Sequence, residues 1–207
     1  MNVSTLPYSQ SCENNKSAIA AVIEPCFSQA TQVIEIGSGT GQHAVHFAKL
    51  MPHLIWQTTD QSAYHAGINA WLAEEPSPNL RPPLTLDVSQ PWPVKALGKP
   101  IIDGIFSANT LHIMSKAMVE DFFKGIGEHL ALHGQLCIYG PFNYNGQYTS
   151  DSNRNFDLWL YEQNNQSAIR DIEWIIDLAN QQGIVLITDH PMPANNRLLH
   201  FEKQREI

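Results

Sequence analysis

A doubly wound α/β fold with a seven-stranded sheet, mostly parallel and ended by an antiparallel C-terminal hairpin, is predicted by three observations on this chain. Apolar strand-like runs alternate with stretches of helical periodicity along most of its length. The segment Val33-Ile34-Glu35-Ile36-Gly37-Ser38-Gly39-Thr40-Gly41 reads as a buried strand, a glycine turn and a helix start. The last two strand-like segments are joined too closely for a parallel crossover, which needs on the order of a dozen residues.

The elements follow in order. Ala18, Ile19, Val22 and Ile23 recur at helical spacing and predict an N-terminal helix over 14–25, ending near Pro25. Beyond the first strand and the glycine turn, a helix over 42–50 carries Ala44, Phe47 and Ala48, and Ile55 to Asp60 forms the second strand. A helical stretch over 62–74 is stopped by the proline-rich residues 76–83. Leu84 to Val88 reads as a third strand, and Ile101 to Ala108, continuously apolar, as a central parallel strand. A helix over 116–131 ends at Gly134 and leads to a fifth strand, Gln135 to Tyr139. From Phe142 to about Arg154 the rhythm breaks. A loop of that length without structure of its own is usually functional or disordered, and Tyr144, Tyr148, Phe156 and Trp159 predict an insertion over about 142–166 that covers a substrate. A helix bearing Ile169, Ile172, Ile175, Ile176 and Ala179 stops at Gly183, and Ile184 to Thr188 with Arg197 to Phe201 form the hairpin. The whole, residues 1–207, fits a single domain.

Composition narrows the function. A net charge of −8 with only 12 Lys and Arg, none clustered, argues against nucleic acid as a partner. No apolar run approaches the roughly 18 residues of a membrane span. The N-terminal residues lack the basic and apolar regions of a signal peptide, so a cytoplasmic protein is expected. Cys12, Cys26 and Cys137 are too scattered for a disulfide framework or a zinc site and read as incidental thiols. Oligomeric state is not encoded in any of these features.

The glycine spacing bears on the class of ligand, together with the contacts that the rest of the chain supplies. A dinucleotide fingerprint places its last glycine at the sixth position, which here is Gln42; the third glycine comes one residue early, at Gly41. With Glu35 two residues before Gly37, the arrangement of Gly37, Ser38, Gly39 and Gly41 resembles motif I of class I S-adenosylmethionine-dependent methyltransferases, a Rossmann-like fold. Asp60, about twenty residues beyond the turn, stands where a carboxylate accepts from both ribose hydroxyls. Asp87 and Val88 are placed to meet adenine, the carboxylate accepting from the exocyclic amine and the next N–H donating to a ring nitrogen. Asn109 follows the fourth strand and would face the methionine moiety. Glu35 either orients the backbone or helps hold the amino group, and a structural role is equally consistent. Should the reaction use a base, His112 is the first candidate and Tyr139 the second. His43 and His46 lie three apart on one helix without a third ligand and read as a solvated helix face.

The chain further resembles the methyltransferase-like 26 family, formerly a domain of unknown function, through Glu13-Asn14-Asn15-Lys16, Glu35 to Phe47, Leu86-Asp87-Val88, Tyr139-Gly140-Pro141-Phe142, Asn145-Gly146, Ser152-Asn153, Phe156-Asp157, Arg170-Asp171 and Met192-Pro193-Ala194-Asn195-Asn196. The resemblance implies the cofactor S-adenosylmethionine but no established substrate or catalytic residue. It also positions Asn15 and Lys16 over the cofactor, and Phe142, Asn143, Asn153, Arg154 and Asn195 around a small-molecule acceptor. Two other readings remain open: a cofactor-binding protein without catalysis, and an NAD-dependent oxidoreductase. The latter is disfavoured because no tyrosine has a lysine four residues on.

Overall fold

The structure, a computed structural model, describes residues 6–94 and 101–206. In chain order the elements are α1 (Gln10–Cys26), β1 (Gln32–Ile36), α2 (Gln42–Leu50), β2 (Ile55–Asp60), α3 (His65–Glu74), β3 (Leu80–Thr85), β4 (Ile102–Ala108), α4 (Lys116–His129), β5 (Leu130–Gly140), β6 (Phe142–Asn143), α5 (Asp151–Gln163), β7 (Arg170–Asp171), α6 (Ile172–Gln181), β8 (Ile184–Met192) and β9 (Asn196–Lys203). The seven-stranded sheet has the order β3-β2-β1-β4-β5-β9-β8. Its first five strands are parallel, and β9 runs antiparallel to both β5 and β8. The order reverses between β1 and β4, so the crevice beyond their carboxyl ends is the place where such sheets bind ligands.

Alternation along each strand divides the core. Ile34, Ile36, Leu136 and Ile138 pack on one face against Val119, Phe122 and Phe123 of α4 and Ile172 and Ile175 of α6. Val33, Phe106 and Cys137 face the other way, against Ile19 and Ile23 of α1 and Ala44 and Phe47 of α2. Period-two burial on a sheet covered on both sides is what a doubly wound fold requires.

Several boundaries differ from the sequence reading. Helix α1 begins at Gln10, a turn before residue 14, because the Ser9 hydroxyl caps it by accepting from the Cys12 N–H at 3.3 Å. Strand β3 lies at Leu80–Thr85, and Leu86 to Val88 leave the sheet. Pro82 and Pro83 are tolerated because β3 is an edge strand, paired only with β2. Strand β5 starts at Leu130, with an irregularity in its pairing to β4 before Gln135. The largest departure is the segment after Phe142. It is not a long loop but a short strand, a turn and the helix α5, and β6 pairs with β7 in a separate two-stranded sheet. No helix among the described residues is long and apolar enough to cross a membrane.

Candidate functional site

Two adjoining cavities open at the carboxyl end of the parallel strands. The first, about 370 Å³, is walled by Gly37, Ser38, Gly39, Asp60, Asp87, Val88 and Asn109, with Ile113, Met114 and Met118 supplying an apolar side. The turn after β1 is fixed to β2 by the N–H groups of Gly37 and Ser38, both donating to the Thr59 carbonyl at 3.1 and 3.0 Å. Gly37, Gly39 and Gly41 all adopt positive φ, but Gly41, expected at the cofactor, abuts Ile68 and Trp71 of α3 and does not line the cavity. A Cβ on Gly39 would meet no atom within 4 Å, so this glycine borders open space where a ligand can reach the backbone. Asp60 accepts from the N–H groups of Gly39 and Gln61 at 2.8 and 2.7 Å, and burial raises its pKa above the ordinary carboxylate value. Asp87 also closes its own turn by accepting from the Ser89 N–H at 3.0 Å. No lysine or arginine lines this cavity among the described residues.

Glu35 stands behind the glycine turn rather than in the cavity. Its carboxyl, 1% exposed, accepts from the Ser38 hydroxyl at 2.9 Å and the Trp56 indole N–H at 3.2 Å, so it is the backbone-orienting alternative that the geometry realises. Burial pushes its pKa up to about 7. A carboxyl held above its unfolded value contributes stability that is fully present below the unfolded pKa and is lost as pH rises through about 7. Glutamine keeps the acceptor oxygen and cannot ionise. Glu35→Gln is therefore expected to match the wild type near pH 5 and to exceed it near pH 8 by about 2 kcal/mol, measured by urea unfolding.

Gln42, the residue that breaks the dinucleotide spacing, has a structural task. Its side-chain oxygen accepts from the Ser9 N–H at 2.6 Å and its amide donates to Glu13 at 2.9 Å, fastening the start of α1 across the glycine turn. His43 adds to the clamp through a 2.7 Å contact between Nε2 and Asn15 Oδ1. It is 5% exposed, and burial drives its pKa down to about 4, so the solvated-face expectation is wrong for His43. Packing under α1 is the reason. Among the described residues no cluster of metal-ligating side chains forms.

The second cavity, about 570 Å³, shares Ser9 and Asn109 with the first. His112, Tyr139, Pro141, Asn153, Phe156 and Asn196 contribute to its wall. Asn109 has φ of 57°, a left-handed conformation that asparagine tolerates better than most residues. A Cβ on Gly140 would lie 3.8 Å from His112 Nδ1 and 3.9 Å from Asn109 Oδ1, so the bare glycine leaves room where these two side chains converge. His112 is 6% exposed and packs edge-on against Phe156 at 5.2 Å. Burial, and then the nearby Arg170 cation, bring its pKa down to about 4, which keeps the imidazole neutral near pH 7. Burial raises the Tyr139 phenol, whose hydroxyl lies by Asn15 and Asn196, so Tyr139 is suited to hydrogen bonding and poorly suited to act as a base.

Four of the expected acceptor residues fall elsewhere. Phe142 is a core residue under α4 and α6, placed there by the β6–β7 pairing. Asn143, its neighbour in that pair, is buried away from both cavities. Arg154 points outward on α5 and is paired with Asp151 at 2.9 Å. Asn195 holds the wall from outside, its carbonyl accepting from Asn153 Nδ2 at 3.1 Å, while Ala194 and Asn196 face the cavity. Lys16 is tied to Glu13 at 2.5 Å and reaches neither cavity; Asn15 lines the second and not the first. Ser9, Ser11, Cys12 and Asn14, all on or capping the first turn and a half of α1, also line the cavities. A capping serine just ahead of that segment was the available signal.

Comparison with solved structures finds the same fold in several methyltransferases. Mitomycin 7-O-methyltransferase superposes with a TM-score of 0.79 at 15% identity over 93% of this chain and 54% of its own. An O-methyltransferase family 2 protein from Planctomyces limnophilus, in complex with apigenin, gives 0.78 at 17% identity over 93% and 57%. Human N-acetylserotonin methyltransferase, in complex with S-adenosylmethionine, gives 0.78 at 12% identity over 95% and 53%. The present chain thus spans just over half the length of each. Its residues 6–203 match the family described as "Protein of unknown function (DUF938)", and the chain belongs to that family.

Proposed function

We propose that this protein is an S-adenosylmethionine-dependent methyltransferase whose acceptor is a small molecule. One observation carries the reading: a cavity floored by the glycine turn and two carboxylates meets, at Asn109, a second cavity with a neutral buried histidine. The first cavity fits the cofactor's chemistry. Two carboxylates with no lysine or arginine beside them suit a phosphate-free molecule that bears a sulfonium cation, and they disfavour a pyrophosphate. The open face of Gly39 offers the close backbone approach such a ligand needs. The resemblance to the methyltransferase-like 26 family, and neighbours that are O-methyltransferases, support the same conclusion.

In this reading Asp60 holds the ribose hydroxyls and Asp87 with Val88 holds the adenine. The Gly37-Ser38-Gly39 backbone borders the amino-acid part. Bound S-adenosylmethionine supplies an electrophilic methyl group. Asn109 orients groups on both sides of the junction, and His112 takes up the proton that the acceptor releases. Holding the partners close and aligned is worth up to about 7 to 11 kcal/mol, so the walls of the two cavities contribute more than the base does.

Calorimetric titration of the ligand-free protein with S-adenosylmethionine, S-adenosylhomocysteine and NAD tests the proposal. Saturable binding of both sulfur compounds and none of NAD is expected. Asp60→Ala should weaken both by about 10- to 100-fold, the worth of charge-assisted hydrogen bonds to two hydroxyls. Binding of NAD alone would return the protein to the oxidoreductases.

A further inference from the structure

The second cavity is uncharged throughout. No aspartate, glutamate, lysine or arginine lines it among the described residues; its polar wall is built from serines, His112, Tyr139 and five asparagines, Asn14, Asn15, Asn109, Asn153 and Asn196. The cations on the neighbouring elements are already engaged. Lys16 is paired with Glu13, Arg154 with Asp151 and Arg197 with Asp189. Arg170 spends its guanidinium on the carbonyls of Leu111, Met114 and Gln166. The carboxylates are engaged too: Asp189 by Tyr144 and Arg197, and Asp157 by Tyr148 and the Ile169 N–H.

Several amide groups, by contrast, are unspent. The Asn109 side chain makes no hydrogen bond to a described residue, and neither does Asn153 Oδ1, whose Nδ2 is occupied by Thr149 and Asn195. Asn14 uses only its oxygen, accepting from Gln10 at 2.9 Å, and so keeps both N–H donors free. An amide offers a donor and an acceptor side by side and matches a partner that does the same. Beside these groups lies an aromatic face, Phe156, held in place by His112 at 5.2 Å and stacked on Trp159 at 5.9 Å.

We infer that this cavity selects an acceptor of no net charge, a ring-sized molecule that carries hydroxyl or amide groups and packs on Phe156. The inference rests on the methyltransferase reading for the word acceptor, but the selectivity itself is a property of the cavity. A carboxylate or phosphate entering it would lose water and find no cation, and an ammonium would find no anion; either is penalised where a neutral amide is not. Anions are further opposed by Asp60 and Asp87 in the adjoining cavity and by the net charge of −8.

The test uses three probes that differ in charge and little else: nicotinamide, nicotinate and 3-(aminomethyl)pyridine, followed by saturation-transfer NMR on the intact protein without cofactor. Nicotinamide is expected to bind at least about tenfold more tightly than either charged probe. In Asn14→Asp, which keeps the acceptor toward Gln10 and adds a carboxylate at the cavity rim, the ammonium probe should gain at least severalfold, which locates the probes in this cavity. Equal or stronger binding of a charged probe to the wild type, no binding of nicotinamide, or no response in Asn14→Asp overturns the inference. A second arm incubates the protein and methyl-labelled S-adenosylmethionine with anionic, cationic and neutral metabolite fractions. Label in the neutral fraction alone supports the inference. Label in a charged fraction, or in none while calorimetry shows the donor bound, overturns it. Absence of donor binding in that calorimetry removes the methyltransferase reading, and the probe comparison still decides the selectivity.

Discussion

Arg170→Met is expected to lower the unfolding free energy by about 3 kcal/mol and, in the folded protein, to raise the pKa of His112. The side chain is 5% exposed, and its guanidinium bridges the carbonyls of Leu111, Met114 and Gln166, the first two from the segment that carries His112. Methionine fills much of the volume and donates nothing. Three carbonyls would lose a partner at roughly 1 kcal/mol or more each, partly offset because a desolvated cation is no longer buried. Two other bonds hold the same segment, Ala168 N–H to the His112 carbonyl at 3.0 Å and Ser167 Oγ to the Ile113 carbonyl at 3.1 Å, so the fold survives with a looser wall. Urea unfolding reads the stability. NMR titration of the His112 ring reads the rest, because Arg170 is one of the two causes that lower its pKa, and removing that cation must shift it upward.

Gly37→Ala should cost about 3 kcal/mol and weaken cofactor binding at least tenfold. The backbone at this position has φ of +79°, and a Cβ would stand 2.4 Å from Thr110 Cγ2. Left-handed geometry alone costs an L-residue roughly 1 to 2 kcal/mol. Thr110 cannot easily swing aside, because its hydroxyl is held by Ser107 Oγ at 2.5 Å and Ser107 in turn donates to the Ile36 carbonyl at 2.8 Å. Relief has to come from moving the glycine turn, which is the floor of the first cavity. Gly39→Ala is the control: its φ of +56° carries a similar backbone cost, but no atom lies within 4 Å of the added carbon. Thermal unfolding of both variants separates clash from conformation, and calorimetric titration of Gly37→Ala with S-adenosylmethionine reads the affinity.

The half of the site that rests on strand ends was legible in the sequence. Gly37, Ser38, Gly39, Asp60, Asp87, Val88 and Asn109, expected around one ligand, line one cavity, while Glu35 and Gly41, expected with them, lie behind its wall. Parallel strands make this possible, since successive carboxyl ends converge whatever the helices between them do. Asp87 was reached even though the third strand was expected four residues late, because the chain leaving β3 at Thr85 still passes the same crevice. The prolines misled: they argue against a strand in general and are permitted at an edge.

Helix α5 was missed for a different reason. Only Asn153 and Leu160 on it are buried, while Leu158, Trp159 and Tyr161 face outward, so no apolar stripe marks a hidden face. Its one plain signal was the cap, Ser150 accepting from the Asn153 N–H at 3.1 Å. The placement of Phe142, Asn143 and Arg154 in the acceptor wall failed with it. A two-residue pairing of β6 with β7 turns Phe142 into the core, and no periodicity announces a strand so short. The role of α1 was likewise out of reach. That Ser9, Asn14 and Asn15 close over the sheet depends on Gln42 and His43 gripping them across about thirty residues of chain, which is tertiary information.

The turn between β8 and β9 has an implication for how such a protein diversifies. Pro193–Asn195 forms a tight bend with Ala194 and Asn195 both at positive φ, and it reaches the second cavity without entering the first. Exposed loop tips are where chains accept insertions and deletions most readily. Lengthening or recomposing this bend, together with Ser152, Asn153 and Phe156 on the cavity-facing side of α5, would redraw one chamber while the strand ends that shape the other stay in register. The part of the second cavity built by this bend and α5 can therefore drift under selection, or be grafted, at little risk to the first, with which the second shares only Ser9 and Asn109.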